Sequence, residues 1–335
     1  MSLLRAAVRA HKNPAGVEFD DIELRESPLL PQTVKRFGHK DFSTDTEGYT
    51  CRNEKGDIVV AFRGSETPFE EDGAWRDWLL TNFRANRVHY EPDPGPWGAR
   101  RWVHAGFWDA LDPVRDNVAK QVQKHLDATN PAGHRIFVTG FSLGGALATL
   151  AAVELAQTFP RKEVQLYTFA APRAGDGTFN KHLIETVDET HVVLLQGDPI
   201  PLLPPVGPSL PIDIGATRWG LPFTGIPLSM DELWGMAMPS IGNNYQTPDE
   251  VHYLTNRNEF EHGMPGHVQR ITVRFGRHSF TRYFNALNAA ANLGLKCNAL
   301  WGSESEKEFV DEEVASVEKA RRRSCTVVAM RHLLS

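Results

Sequence analysis

The feature that most constrains the fold of this chain is a five-residue turn between a predicted strand and a predicted helix. Apolar residues at 135–140 predict a short buried strand, and the turn Gly140-Phe141-Ser142-Leu143-Gly144 leads straight into a helix. A G-x-S-x-G turn in this position puts a serine on strained backbone with its hydroxyl exposed, while the glycines let strand and helix approach closely. A glycine-rich connection without a nucleophile is the alternative, and the flanking strand and helix disfavour it.

Apolar strands alternate with helical stretches through the middle of the chain. Near-continuous apolar strands with helices between them predict an α/β fold whose mostly parallel central sheet is flanked by helices on both faces. The segments that carry this pattern are a hairpin at 48–62, helices at 110–128 and 177–187, strands at 164–170 and 191–195, a last strand at 268–275 and a helix at 280–293.

Composition places the chain among ordinary globular proteins. Of its 335 residues, 41% are hydrophobic and 23% are charged, which suits a packed core rather than a disordered chain. The 36 basic and 42 acidic residues leave a net charge of −6, so nucleic acid is not an expected partner. The sequence contains no run of about 20 apolar residues, so no transmembrane segment is expected.

Cysteine usage and the first residues bear on the cellular compartment. Cys51, Cys297 and Cys325 are far apart and odd in number, which disfavours a disulfide framework or a structural zinc site. The first residues include basic side chains but no apolar run of the secretory-signal type. We therefore expect a cytoplasmic location, while export by a route without such a signal stays open.

Two aspartates compete for the role of the acid that a serine nucleophile and its base require. In parallel sheets such groups gather at the carboxyl ends of strands, and in this architecture the acid and then the histidine follow the serine along the chain. Asp198 comes directly after the strand at 191–195, and Asp176 follows the strand at 164–170. Asp176 also stands where a helix begins, as a helix-capping carboxylate does, so Asp198 is favoured.

Five histidines follow Asp198 and are candidates for the base. His278 comes after the strand at 268–275 and before the last predicted helix, where it can reach the serine. His267 begins that strand and so lies at the wrong end of the sheet. His252 and His262 are expected in polar loops, and His332 lies in the tail. His278 is therefore the favoured base.

An oxyanion hole is the third requirement, because the tetrahedral intermediate needs hydrogen-bond donors. The backbone N–H of Leu143 is one expected donor, since it follows the nucleophile. A second is expected after the strand at 58–62, where Ser65 offers an N–H and a hydroxyl. Taken alone, the sequence at 63–65 is also typical of a simple turn.

Five spaced segments extend the pattern: VAFRGS, VHAGF, VTGFSLGGALATLAA, YTFAAPRAGD and HVVLLQGDPIPLLPP. In this order they resemble the motifs of class 3 (fungal-type) lipases, a family of the α/β-hydrolase superfamily, and the likeness covers residues 45–206 and 267–293. The resemblance implies an α/β-hydrolase fold. It also implies that Ser142 is the nucleophile, Asp198 the acid and His278 the base, with Ser65 and Leu143 as oxyanion donors.

The chain departs from this family pattern at three places. Phe141 stands before the serine, where the family usually has histidine. The family often has an aspartate three residues after a lid tryptophan to hold the serine hydroxyl, but Thr81 occupies that position after Trp78. The segment between acid and base is longer than usual because of a Pro- and Met-rich insertion at 207–266, whose role the resemblance does not supply.

The motif order predicts one α/β-hydrolase domain over residues 1–300. This domain carries an N-terminal extension at 1–45, expected to be irregular apart from a short helix at its start, and the insertion at 207–266 before the last strand. Residues 301–335 are expected to form a C-terminal helix and tail.

A segment after the expected oxyanion serine is a candidate lid. Its apolar side chains Trp75, Trp78, Leu79 and Phe83 are mixed with acidic residues, a pattern typical of an amphipathic cover that opens at a lipid surface. A helix packed permanently on the core is the alternative.

The resemblance implies a serine hydrolase of carboxylic esters that acts on acylglycerols through an acyl-serine intermediate, with no metal or organic cofactor. The expected partner is a lipid or ester substrate at a lipid–water interface, and the oligomeric state is left open. A phospholipase A1 or a feruloyl-type esterase is the nearest alternative within the same chemistry. A hydrolase-fold binding protein without activity is an alternative from another class, which intact Ser142, Asp198 and His278 argue against.

Overall fold

The computed structural model describes residues 2–10, 24–25, 27–40, 45–64, 87–90, 100–129, 135–204, 245–248, 251–262 and 277–291. The strands within these ranges are β1 (Lys35–Lys40), β2 (Asp45–Arg52), β3 (Ile58–Phe62), β4 (Arg87–His89), β5 (Trp102–His104), β6 (Arg135–Phe141), β7 (Glu163–Phe169), β8 (Gly175–Asp176), β9 (Glu189–Leu195), β10 (Tyr245–Gln246), β11 (Val251–Leu254) and β12 (Phe260–His262). The α-helices are α1 (Ser2–Arg9), α2 (Ala105–Asp127), α3 (Leu143–Thr158), α4 (Gly177–Thr186) and α5 (Phe280–Ala290).

A central sheet of eight described strands has the order β1-β2-β3-β6-β7-β9-β11-β12. The inner strands β3, β6, β7, β9 and β11 are mutually parallel, whereas β1, β2 and β12 pair antiparallel. The register places Phe62 opposite Gly140 and Phe141 opposite Phe169. The carboxyl ends of β3, β6 and β7 therefore meet at one edge, and the predicted mostly parallel sheet flanked by helices is confirmed.

Helices cover both faces of this sheet, which explains why its central strands are continuously apolar. All five residues of β3 are buried, because successive side chains of a strand point to opposite faces and both faces are covered. On one face, Val60 and Val138 pack in a core with residues of α2 and α3. On the other face, Val59 and Phe137 pack with residues of α1 and α5. These two cores hold the sheet edge that presents the site.

A smaller sheet lies beside the central one in the order β10-β8-β5-β4. Its strands pair antiparallel, with Val103 opposite Gly175 and Tyr245 opposite Asp176. It joins the start of α4 to the segment that precedes α2, so the loop after β7 is held from two sides.

The segment at 251–262 differs from its prediction. It was expected within an insertion, with His252 and His262 in polar loops, but β11 lies in the central sheet parallel to β9, and β12 pairs with β11. His252 is buried, and its ring stacks on that of His191 at a centroid distance of 5.2 Å. Polar residues interrupt the apolar pattern of this segment, so the sequence does not predict a strand there. All four residues of β11 are nevertheless buried by the neighbouring strands.

The N-terminal extension also contains more regular structure than predicted. The expected short helix is present as α1, whose Leu4, Ala6 and Ala7 are buried against the sheet. The strand β1 lies within the same extension and pairs along its whole length with β2. Its charged sequence has little apolar alternation, so pairing with β2 rather than local pattern defines it.

Several predicted features lie outside the described residues. These are the candidate lid residues Trp75, Trp78, Leu79 and Phe83, the greater part of the insertion at 207–266, the strand at 268–275 and the tail at 301–335. Among the helices that the structure describes, none is long and apolar enough to cross a membrane.

Candidate active site

Ser142 occupies the turn between β6 and α3, in backbone that a side chain rarely adopts. Its φ is 56° and its ψ is −129°, a conformation that is strained for a residue with a Cβ atom. The Ser142 N–H donates to the carbonyl oxygen of Phe169 at 2.9 Å, and the N–H of Gly145 donates to the Ser142 carbonyl at 2.9 Å. Hydrogen bonds on both sides therefore hold the strained turn in place.

The two glycines of the G-x-S-x-G turn are required by close backbone contacts. A Cβ atom at Gly140 would overlap the carbonyl of Gly144 and lie 2.6 Å from the nitrogen of Gly145. A Cβ atom at Gly144 would lie 2.8 Å from the carbonyl carbon of Arg63, in the segment that follows β3. Any larger residue would push α3 away from the sheet and move the serine with it.

Ser142, His278 and Asp198 meet at the carboxyl edge of the sheet. The Nε2 atom of His278 lies 2.7 Å from Ser142 Oγ, and its Nδ1 atom lies 2.9 Å and 3.1 Å from the two carboxylate oxygens of Asp198. The carboxylate accepts only, so Nδ1 carries the proton and Nε2 accepts from the serine hydroxyl. This arrangement can withdraw the proton from Ser142 as its oxygen attacks a substrate.

Asp198 is held by donors from three directions. It follows β9, and its side chain is fully buried, as is that of His278. The N–H of Ile200 donates to Oδ1 at 3.0 Å, and the hydroxyl of Tyr283 donates to Oδ2 at 2.8 Å. With His278, these donors satisfy a charge that would otherwise be costly to bury.

Tyr283 was missed by sequence reasoning. It lies on α5, five residues after His278, among apolar neighbours that predict only a core position. Its pKa is raised well above the usual value, first by burial and then by the negative charge of Asp198. The phenol therefore stays protonated and remains a donor.

The ring of Phe141 packs beside His278. The Phe141 ring lies 5.2 Å from the His278 ring between centroids, tilted by 36°, and meets the Tyr283 ring edge-on at 5.5 Å. The residue that departs from the family pattern thus forms an apolar wall for the histidine. This wall keeps water from one face of the imidazole.

The other predicted site residues have different outcomes. Leu143 is the first residue of α3, so its N–H belongs to the helix's first turn and has no partner within the helix. Ser65 lies outside the described residues. Asp176 caps α4, since its side chain accepts from the N–H of Phe179 at 2.8 Å. His262 is exposed on β12, away from the carboxyl edge of β6.

Among the described residues, no group of three or more histidine, cysteine, aspartate or glutamate side chains could hold a metal ion.

Comparison with known proteins finds lipases. Residues 59–207 match the family model described as lipase (class 3). A secreted mono- and diacylglycerol lipase A from Penicillium cyclopium is 33% identical over 173 residues, which cover 49% of this chain and 50% of the relative. The chloroplastic phospholipase A(1) DAD1 of Arabidopsis thaliana is 34% identical over 139 residues, which cover 38% of this chain and 29% of the relative.

A solved structure of lipase II from Rhizopus niveus shares 27% identity and a TM-score of 0.48, covering 61% of this chain and 73% of that one. The chain spans half or less of the length of the curated relatives it matches.

The expected cytoplasmic location is wrong by this comparison, because the Penicillium relative is named as a secreted enzyme. Cysteine usage suggested the reducing compartment, yet the free cysteine that the described residues contain, Cys51, is fully buried. A buried thiol is shielded from oxidants and from other thiols, so an unpaired cysteine does not identify a compartment.

The family match includes the strand before the expected oxyanion serine, the G-x-S-x-G turn and the segment that carries Asp198. The resemblance inferred from the five motifs is therefore confirmed: residues 59–207 match the class 3 lipase family.

Proposed function

We propose that this chain hydrolyses carboxylic esters of lipids, with Ser142 as nucleophile, His278 as base and Asp198 as the acid that orients it. The observation that carries the proposal is the continuous chain of hydrogen bonds from Ser142 Oγ to His278 Nε2, at 2.7 Å, and from His278 Nδ1 to Asp198 Oδ2, at 2.9 Å. Ser142 lies at one end of this chain of hydrogen bonds, on the strained backbone that is typical of a serine nucleophile between a strand and a helix.

In the proposed reaction, Ser142 Oγ attacks the ester carbonyl while His278 Nε2 takes its proton. The tetrahedral intermediate collapses, the alcohol leaves with the proton from His278, and the acyl group remains on Ser142. Water then attacks the acyl-serine and gives a proton to His278, which returns it to Ser142 Oγ as the bond to the acyl group breaks and the fatty acid is released. Asp198 holds the imidazole in the required tautomer throughout.

The oxyanion would receive hydrogen bonds from the N–H of Leu143 and from Ser65. Leu143 is supported by its place at the start of α3, where the helix dipole also favours negative charge. Ser65 is supported by the family motif, because the described strand β3 ends three residues before it.

Acylglycerols are the proposed substrate class. The names of the fungal relatives, a secreted mono- and diacylglycerol lipase and a lipase, support this choice. The lipid would be met at a lipid–water interface, with Trp75, Trp78, Leu79 and Phe83 in a lid over the acyl pocket. A phospholipid acyl hydrolase is the second candidate, because the Arabidopsis relative is named a phospholipase A(1).

One α/β-hydrolase domain with an N-terminal extension is the proposed organisation of residues 1–300, followed by the segment 301–335. The proposal is supported by the hydrogen bonds that join Ser142 after β6, Asp198 after β9 and His278 before α5. No domain boundary can separate residues that share one hydrogen-bonded chain.

The test compares wild type with Ser142→Ala by fluorophosphonate labelling and by hydrolysis of p-nitrophenyl esters of increasing chain length. Labelling and turnover should be lost in Ser142→Ala and kept in Ser27→Ala, a matched change at a buried serine in the segment before β1. Label or turnover retained by Ser142→Ala would overturn the proposal, and an inert wild type would favour a binding protein.

The base is tested with a histidine pair. His278→Ala should lower kcat roughly 10⁴-fold, because the nucleophile then lacks its proton acceptor, whereas His262→Ala should stay close to wild type. Triacylglycerol emulsions and phosphatidylcholine vesicles assayed side by side separate the two substrate candidates.

A further inference from the structure

Tyr283 makes two hydrogen bonds whose direction chemistry fixes. Its hydroxyl oxygen lies 3.0 Å from the backbone nitrogen of Leu195 and 2.8 Å from Asp198 Oδ2. An N–H group can only donate and a carboxylate can only accept. The hydroxyl therefore accepts from Leu195, at the end of β9, and donates to Asp198.

The Tyr283 hydroxyl donates to the Asp198 oxygen that is nearer to His278. Asp198 Oδ2 is 2.9 Å from His278 Nδ1, and Oδ1 is 3.1 Å from it. Two donors thus share Oδ2, and each one withdraws part of its negative charge. The charge that Asp198 offers to a protonated imidazole depends on whether the phenol also binds it.

The phenol has little freedom to leave this position. Tyr283 is fully buried, and the Phe141 ring packs against it edge-on, with an angle of 89° between the ring planes. Donation from Leu195, which sits on a central strand, orients the hydroxyl further. The aromatic packing and the hydrogen bond from β9 together orient the hydroxyl proton of Tyr283 towards Asp198.

We propose that Tyr283 is a positioning residue for the reaction of the proposed function: its hydroxyl holds Asp198 in place and moderates the carboxylate charge that His278 experiences. Beyond Asp198 and His278, the phenol of Tyr283 interacts with the titratable Tyr253 of β11, which in turn interacts with Arg277. Both remain in place when only the Tyr283 hydroxyl is removed.

The test is Tyr283→Phe, compared with wild type by the pH dependence of kcat/KM for a p-nitrophenyl ester, with active sites titrated by fluorophosphonate. Without the phenol, Asp198 keeps its full charge and stabilises protonated His278 more strongly. The acidic limb should therefore move to higher pH by about half a unit, and kcat should fall about tenfold as the carboxylate loses one support.

Tyr49→Phe is the matched control. Tyr49 is also fully buried, and its hydroxyl donates to the carbonyl of Ala6 at 2.8 Å, at the packing of α1 on the sheet. This variant loses a comparable buried hydrogen bond, so it reports the effect of destabilisation alone. Its pH profile and kcat should match those of wild type.

A Tyr283→Phe profile that superimposes on that of Tyr49→Phe would overturn the proposal. If Tyr283→Phe does not fold, the profile is measured on chains in which 3-fluorotyrosine replaces tyrosine. Each phenol is then a stronger donor, and the acidic limb must move to lower pH; an unmoved limb again overturns the proposal. An inactive wild type would instead refute the proposed function, so the two failures are distinguishable.

Discussion

Replacing Ser142 by glycine rather than alanine tests how much strain is stored in the turn between β6 and α3. Both changes remove Oγ and its hydrogen bond to His278, so both variants are expected to be inactive. They differ in the Cβ atom, which alanine keeps at a φ of 56° and glycine lacks. The difference in their free energies of unfolding therefore isolates the backbone strain.

The magnitude follows from two opposing terms. A Cβ atom in left-handed backbone costs about 1–2 kcal/mol, and glycine costs about 0.5–1 kcal/mol more conformational entropy on folding than alanine does. Ser142→Gly should therefore be more stable than Ser142→Ala by about 1 kcal/mol. The sign is the informative part, because glycine ordinarily destabilises a folded chain.

The measurement is urea unfolding followed by tryptophan fluorescence, with a second alanine–glycine pair as control. Ala119→Gly in the interior of α2 should lose about 1 kcal/mol relative to wild type, since that position has ordinary helical backbone. Glycine should therefore be more stable than alanine at position 142 and less stable than alanine at position 119. Ser142→Gly equal to or less stable than Ser142→Ala would refute the strain argument.

Gly140→Ala should lose about 3 kcal/mol of stability together with fluorophosphonate labelling, because the new Cβ atom would overlap the Gly144 carbonyl. In the control Gly38→Ala, the Cβ atom would lie 3.1 Å from its nearest atom, so the loss of stability should be under about 1 kcal/mol. Equal losses in the two variants would count against the reasoning. Burial lowers the pKa of His104 from 6.5 to about 4. As the pH falls, His104 therefore binds a proton in the unfolded chain before it does so in the folded chain. Its contribution to the free energy of unfolding is fully present above pH 6.5 and falls by about 3 kcal/mol as the pH drops to 4. Urea unfolding of His104→Gln should show a flatter acid slope than His262→Gln, and identical slopes would contradict the assignment.

Local pattern was enough to predict the elements on either side of Ser142. The apolar run of β6, the glycines of the turn and the helical spacing of α3 are encoded within 135–158, and the structure forms them there. Asp198 was placed correctly after β9 because the carboxyl ends of parallel strands meet at one edge. Such predictions succeed because sequence neighbours determine them.

Features that depend on distant partners were not predicted. β11 was taken for part of an insertion because its polar residues become buried only beside β9 and β12. The role of Tyr283 was not visible because a tyrosine on an apolar helix face is typical of core packing. Its contact with Asp198 exists only when α5 lies against the end of β9.

The sequence by itself determined the fold class and the turn that carries Ser142, because periodicity and glycine placement act over a few residues. Only the tertiary structure decided which strands complete the sheet and which groups support the carboxylate. Strand pairing and a hydrogen bond between Tyr283 and Asp198 join residues far apart in the chain. Their geometry depends on how the helices pack on the sheet, which no local pattern records.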